Sequence, residues 1–175
     1  MRPLWIFGYG SLIWRPSFSY VERRTGIVSG FARRFWQASP DHRGTPERPG
    51  RVVTLVPDPS EQVFGMLYRV EEKVVQTLDA LDHRERGGYQ RREVEAKSGD
   101  GSVHALMYWA DESNPHFVGA APLDAMVEQI LGARGESGPN SEYVLKLDEA
   151  LTEHGVHDPH IRTLSEALIR SGAHL

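Results

Sequence analysis

Apolar positions change period along this chain: strand-like runs with turn punctuation fill the first two thirds, and helical spacing takes over in the last third. Residues 4–7 (Leu-Trp-Ile-Phe) read as a short strand. Residues 51–56 and 63–70 are β-rich runs on either side of Pro57-Asp58-Pro59-Ser60, and that turn chemistry predicts a hairpin. Residues 90–97 and 102–110, around Ser98-Gly99-Asp100-Gly101, predict a second. Between the two, Val74, Val75, Leu78 and Leu81 fall at helical spacing, so the pattern predicts one amphipathic helix over 71–82 that ends at Gly87-Gly88.

The last third carries three apolar stripes. Leu123, Met126, Val127, Ile130 and Leu131 follow Pro122, and Tyr143, Val144, Leu147 and Leu151 precede Gly155. A final helix is predicted from Asp158 as cap and Pro159 at its first position, through Ile161, Leu164 and Leu168, to Gly172 as the stop. Residues 15–20, 39–50 and 111–121 are long polar loops, of the kind that shape a site. Strands first and helices last make an α+β architecture.

Composition narrows the classes. With 175 residues and no linker or repeat, the chain is expected to form a single domain over 1–175 with a sizeable core. Zero cysteines exclude disulfides, thiolate metal sites and a cysteine nucleophile, and fit a reducing compartment, with the cytoplasm as the expectation. The first residues lack a signal-peptide h-region, and no stretch approaches a membrane span, so a soluble protein without a membrane partner is expected. A formal net charge of −4 speaks against nucleic-acid binding. Arg33, Arg34, Arg43, Arg48 and Arg51 nevertheless cluster with Phe31, Phe35 and Trp36, and read more readily as a solvated face than as an anion pocket. The sequence carries no signal for an oligomeric state.

The candidate chemistry begins at Gly8-Tyr9-Gly10-Ser11-Leu12, where the first strand enters a glycine-bracketed turn. Glycines at 8 and 10 allow positive φ and leave amide donors for an anion, although a plain strand exit has the same pattern. Neither a P-loop nor a dinucleotide fingerprint is completed, and Ser11 lacks the glycines of a nucleophile elbow, so Ser11 reads as a hydrogen-bonding contact. Glu85 follows the predicted helix, where the macrodipole disfavours an acid. It is either a surface partner of Arg84 or Arg86, or a base whose pKa burial raises and those arginines lower. Tyr143, near a helix start, is either core or a hydroxyl aimed at a pocket. His154, His157 and His160 resemble a metal cluster, but Gly155 and Pro159 break the helix that would align them, so no metal is expected.

Gly8-Tyr9-Gly10-Ser11-Leu12-Ile13-Trp14, Arg33-Arg34-Phe35-Trp36-Gln37, Asp41-His42-Arg43-Gly44, Pro49-Gly50-Arg51-Val52-Val53-Thr54-Leu55 and Arg84-Glu85-Arg86-Gly87-Gly88-Tyr89 form an ordered series. It continues through Asn114-Pro115, Ala121-Pro122-Leu123 and Asn140-Ser141-Glu142-Tyr143. The chain resembles the ChaC-like γ-glutamylcyclotransferases over nearly its whole length.

That resemblance implies a small, strongly curved mixed β-barrel surrounded by helices, and an enzyme that converts glutathione to 5-oxoproline and cysteinylglycine without cofactor or metal. By resemblance, Glu85 is the catalytic carboxylate, and Gly8, Tyr9, Gly10, Ser11, Leu12 and Tyr143 bind the small-molecule substrate. Arg86 stands where relatives often have lysine, and His116-Phe117 departs from a common aromatic pair. In the implied reaction the substrate's own α-amine attacks its γ-carbonyl, so the protein positions the chain and moves protons. A cyclotransferase for other γ-glutamyl amines, or a non-catalytic γ-glutamyl-binding regulatory protein, are the alternatives.

Overall fold

Five strands close on themselves in the order β1-β3-β2-β4-β5 in the computed structural model, which describes residues 4–84 and 89–175, with 80–84 in backbone only. The strands are β1 (Leu4–Gly8), β2 (Glu22–Ser39), β3 (Gly50–Val70), β4 (Gln90–Ser98) and β5 (Gly101–Trp109). Closure removes the exposed edges that an open sheet of this size would carry. Helix α1 (Glu72–Arg84) lies between β3 and β4 in sequence; α2 (Leu123–Leu131), α3 (Asn140–Glu153) and α4 (Pro159–Arg170) follow the barrel strands. A two-stranded ribbon, β6 (Arg134–Gly135) with β7 (Gly138–Pro139), precedes α3 and had no signal in the hydrophobic pattern.

The chain divides into two compact units, the first comprising Met1–Arg33 and Leu55–Pro115, the second Arg34–Thr54 and His116–Leu175. In the first unit β1 runs antiparallel to β3, with Leu4 opposite Val70 and Gly8 opposite Met66, and parallel to β5 at Ile6 and Leu106. The parallel β1–β5 pair beside antiparallel ones makes the barrel mixed. β4 and β5 form the expected hairpin, from Gln90 opposite Trp109 to Ser98 opposite Gly101, and β4 also pairs with β2 at Ile27 and Val28. Ile6, Phe7, Leu67, Tyr68, Ala96 and Met107 are buried almost completely here. Each large apolar side chain so buried contributes about 1.5–3 kcal/mol relative to exposure.

The hairpin expected at Pro57-Asp58-Pro59-Ser60 is absent: β3 runs without reversal from Gly50 to Val70. Asp58 does make the local bonds of a turn, accepting from the Ser60 amide at 3.0 Å and the Ser60 hydroxyl at 2.7 Å. Yet proline φ is compatible with extended backbone, and the segment from Asp58 to Gln62 is mostly exposed, where a missing ladder donor costs little. The chain instead reverses between β2 and β3, through the polar loop expected at 39–50.

In the second unit α4 packs on α2 and α3, and α2 on α3. Ile130, Val144, Leu147, Leu151, Ile161, Leu164 and Leu168, from the predicted stripes, are buried, whereas Leu123 and Leu131, the two ends of the first stripe, are exposed. Asp158 caps α4 by accepting from the Ile161 amide, and Pro159 opens the helix. Gly172, at φ +97°, closes it with bonds from the Ala173 amide to the Leu168 carbonyl and from its own amide to that of Ile169. Among the described residues no helix is long and apolar enough to cross a membrane.

Candidate active site

The loop after β1 is built by close approach, not by unusual φ. Neither Gly8 nor Gly10 has positive φ, contrary to the expectation from their spacing; Gly10 lies at φ −126°. Gly8 is required for room, because a Cβ there would stand 2.5 Å from the Leu12 Cβ. Its neighbour across the ladder is equally constrained: a Cβ on Gly65 would meet the Gly8 carbonyl at 2.4 Å. The two glycines let β1 and β3 come together and let residues 11–13 fold back over the strand end.

Ser11–Ile13 form a single 3₁₀ turn, closed by the Ile13 amide on the Gly10 carbonyl at 2.9 Å and the Arg15 amide on the Ser11 carbonyl at 2.7 Å. Its N-terminal residue Gly10 supplies no side-chain cap. Among the described residues, the amides of Ser11 and Leu12 donate to nothing, as the first turn of a helix leaves its donors open. Ser11 and Leu12 are half-buried, Tyr9 and Gly10 buried, so these donors belong to a sheltered backbone. A donor pair of this kind suits an anionic oxygen.

Three buried side chains fix that backbone. Arg33 Nη1 donates to the Tyr9 carbonyl at 3.0 Å and Nη2 to the Phe64 carbonyl at 2.5 Å. The Tyr68 hydroxyl donates to the Leu12 carbonyl, with Phe18 edge-on and Tyr20 tilted against its ring. Burial raises the Tyr68 pKa, so it remains a neutral donor. Tyr9 returns the restraint by donating its hydroxyl to the Tyr108 carbonyl at 2.8 Å. Sequence reasoning missed Arg33 and Tyr68 as supports of the loop.

The arginine cluster is not a solvated face. Arg33, Arg43 and Arg51 are buried, and only Arg48 of the five is fully at the surface. In the second unit Arg51 donates through Nη1 to the Phe35 and Gly119 carbonyls at 2.9 and 3.0 Å, and through Nε to Gln129 Oε1 at 2.7 Å. Arg43 reaches the Pro139 carbonyl at 2.9 Å and Glu142 Oε1 at 3.3 Å. Burial pushes the Glu142 pKa up, but Arg43 and Lys146 outweigh it and hold the carboxyl below its ordinary range.

Tyr143 belongs to this second unit. It is buried on α3, with Phe35 edge-on at 5.7 Å and the Arg43 guanidinium 5.6 Å from its ring centre. His160, from the group of three histidines, accepts the Phe35 amide at Nε2, 3.0 Å away, and stacks on the Phe35 ring. Burial, helped by the charge of Arg34, lowers its pKa to about 4, so the ring is neutral with its proton on Nδ1. Tyr9, Gly10, Ser11 and Leu12 form one contiguous loop of the first unit, entered from Gly8 at the end of β1. Glu85, the expected catalytic carboxylate, lies outside the described residues, directly after the last residue of α1 in sequence.

Known proteins share both the sequence and this architecture. Glutathione-specific gamma-glutamylcyclotransferase 1 of Homo sapiens is 43% identical over 175 residues, covering 95% of this chain and 79% of the relative. Glutathione-specific gamma-glutamylcyclotransferase of Saccharomyces cerevisiae is 34% identical, covering 86% of each chain. A crystal structure of a selenomethionine-labelled gamma-glutamyl cyclotransferase specific to glutathione, from yeast, superposes with a TM-score of 0.86 at 30% identity, over 95% of this chain and 96% of that one. Residues 4–171 match the family model described as ChaC-like protein. From its first barrel strand to its last helix, then, the chain belongs to the ChaC-like family.

Proposed function

We propose that this protein is a glutathione-specific γ-glutamylcyclotransferase, releasing 5-oxoproline and cysteinylglycine. The observation that carries this is the 43% identity, over 95% of the chain, to a human relative named for that activity. The family model runs unbroken through residues 4–171, which supports one γ-glutamylcyclotransferase-like domain over 1–175. A cysteine-free chain and a thiol substrate both suit a reducing compartment, and the cytoplasm is the compartment we assign.

The reaction needs no nucleophile from the protein. Glutathione's α-amine attacks its own γ-carbonyl carbon, the lactam C–N bond forms, and the C–N bond to cysteine breaks. Well-oriented intramolecular attack reaches effective molarities on the order of 10⁵–10⁸ M, so holding the γ-glutamyl chain folded supplies much of the rate. The open amides of Ser11 and Leu12 are suited to the α-carboxylate, which orients the adjacent amine. A protonated amine cannot attack; Glu85 removes that proton and returns one to the departing amine of cysteinylglycine. Tyr143 is assigned a substrate-binding role on the resemblance alone.

The test is turnover of glutathione and of γ-glutamyl-alanine by the purified protein, with products identified by mass spectrometry. Equimolar 5-oxoproline and cysteinylglycine from glutathione, with little from γ-glutamyl-alanine, is expected. Preference for γ-glutamyl-alanine would give the broader γ-glutamyl amine specificity, and no product from either would leave a binding protein.

A further inference from the structure

Tyr108 serves two neighbours at once. Its main-chain carbonyl accepts the Tyr9 hydroxyl at 2.8 Å, and its own hydroxyl donates to Asp79 Oδ1, on α1, at 2.9 Å. The other oxygen of Asp79 accepts from Arg91 Nη1 at 2.8 Å. Arg91 is the cross-strand partner of Tyr108 in the β4–β5 register. This one carboxylate of α1 is thus divided between two residues that face each other on one hairpin, and both belong to the first unit.

For stability alone this arrangement is a modest device. Asp79 and Arg91 are 41% and 50% exposed at their side chains, and ion pairs so open to water contribute little. Their geometry is more telling than their strength. A lone pair with Arg91 would let α1 pivot; the added bond from Tyr108 fixes the carboxylate from two directions. The same Tyr108 fixes the substrate loop through Tyr9. From Asp79 to the last residue of α1, Arg84, is about 7.5 Å of helix, so a small tilt at Asp79 carries directly to the helix end.

We propose that Asp79 and Tyr108 are positioning residues for turnover: they tie α1, the helix that leads to Glu85, to the same β5 residue that holds the Tyr9 loop. This rests on the assignment of proton transfer to Glu85. The tie sets the helix against the loop. Displacement by about 1 Å can cost about 10²-fold in an oriented reaction, so freeing α1 should lower kcat by roughly tenfold. Binding is spared, because the Tyr9 hydroxyl bonds to the main chain of Tyr108 and that bond survives a side-chain change.

The experiment is steady-state kinetics on glutathione, with melting temperatures, for Tyr108→Phe, Asp79→Ala, their double variant and Asp79→Asn. Each of the first two lowers kcat by roughly tenfold while KM stays within about twofold, and the double variant is no worse than Asp79→Ala, since one path is cut twice. Asp79→Asn, whose amide oxygen still accepts the Tyr108 hydroxyl, recovers most of the kcat lost in Asp79→Ala. Wild-type kcat in both single variants with only a lowered melting temperature would overturn the proposal, as would losses that multiply in the double. If the parent protein turns over glutathione and Glu85→Gln does not, such a result removes this inference alone. An inactive parent, or an active Glu85→Gln, removes the assignment beneath it.

Discussion

Arg33 Nη1 lies 3.0 Å from the Tyr9 carbonyl, with the guanidinium itself buried. Its second nitrogen holds the Phe64 carbonyl, so one side chain of β2 joins the end of β1 to β3 at the point where the loop through Gly10 and Ser11 begins. Replacing Arg33 by methionine keeps most of the volume and removes a buried donor from two sheltered carbonyls. Arg33→Met should cost about 3 kcal/mol in chemical denaturation and raise KM for glutathione, because the loop loses its floor. Unchanged stability and KM would mean that the carbonyls find other donors.

Gly8 is a steric requirement. A Cβ added there overlaps the Leu12 Cβ at 2.5 Å, an approach that real side chains do not tolerate. Gly8→Ala should move the 3₁₀ turn and depress kcat/KM by more than about tenfold, the scale expected when oriented groups are displaced by a fraction of an ångström. The kinetic loss should exceed what the drop in melting temperature accounts for at assay temperature. A variant with parental kcat/KM would show that Leu12 yields without disturbing the loop.

His160 gives the fold a pH dependence of known sign. Its folded pKa, about 4, lies below the ordinary histidine value of about 6.5, so the unfolded chain binds the proton first as pH falls. Stability from this site is complete above pH ~6.5 and declines toward pH ~4, at up to about 1.4 kcal/mol per pH unit. His160→Gln, whose side-chain oxygen can still accept the Phe35 amide, should flatten that decline when urea unfolding is followed from pH 7 to pH 4.5. Parallel curves for parent and variant would place the titrating group elsewhere.

Legibility in the sequence was uneven, for physical reasons. The terminal helices were plain, since Pro122, Asp158, Pro159 and Gly172 are local signals and the apolar stripes between them are long. The β4–β5 hairpin was plain because Ser98-Gly99-Asp100-Gly101 does reverse the chain, with Gly99 at φ +61°. Pro57-Asp58-Pro59-Ser60 misled because its Asx bonds form equally well in an exposed stretch of a continuous strand. The buried arginines were readable in principle: Phe31, Arg33, Phe35, Gln37 and Ser39 alternate on one buried face of β2, a period-2 pattern that charge counting hides. The two-residue strands β6 and β7 were too short to have a period at all. The loop proposed to hold the substrate carries a local motif, whereas its supports, Arg33 and Tyr68, lie 24 and 56 residues from the atoms they hold and leave no local trace.

Glu85 carries the chemistry in this account, and one comparison tests it most directly: 5-oxoproline released from glutathione by the parent protein and by Glu85→Gln, each shown to be folded by its melting temperature. Glutamine keeps the size and the hydrogen-bonding oxygen but cannot take up the amine proton. The account predicts active parent protein and a loss of about 10²-fold or more in the variant at unchanged melting temperature. Parental turnover by folded Glu85→Gln would contradict it.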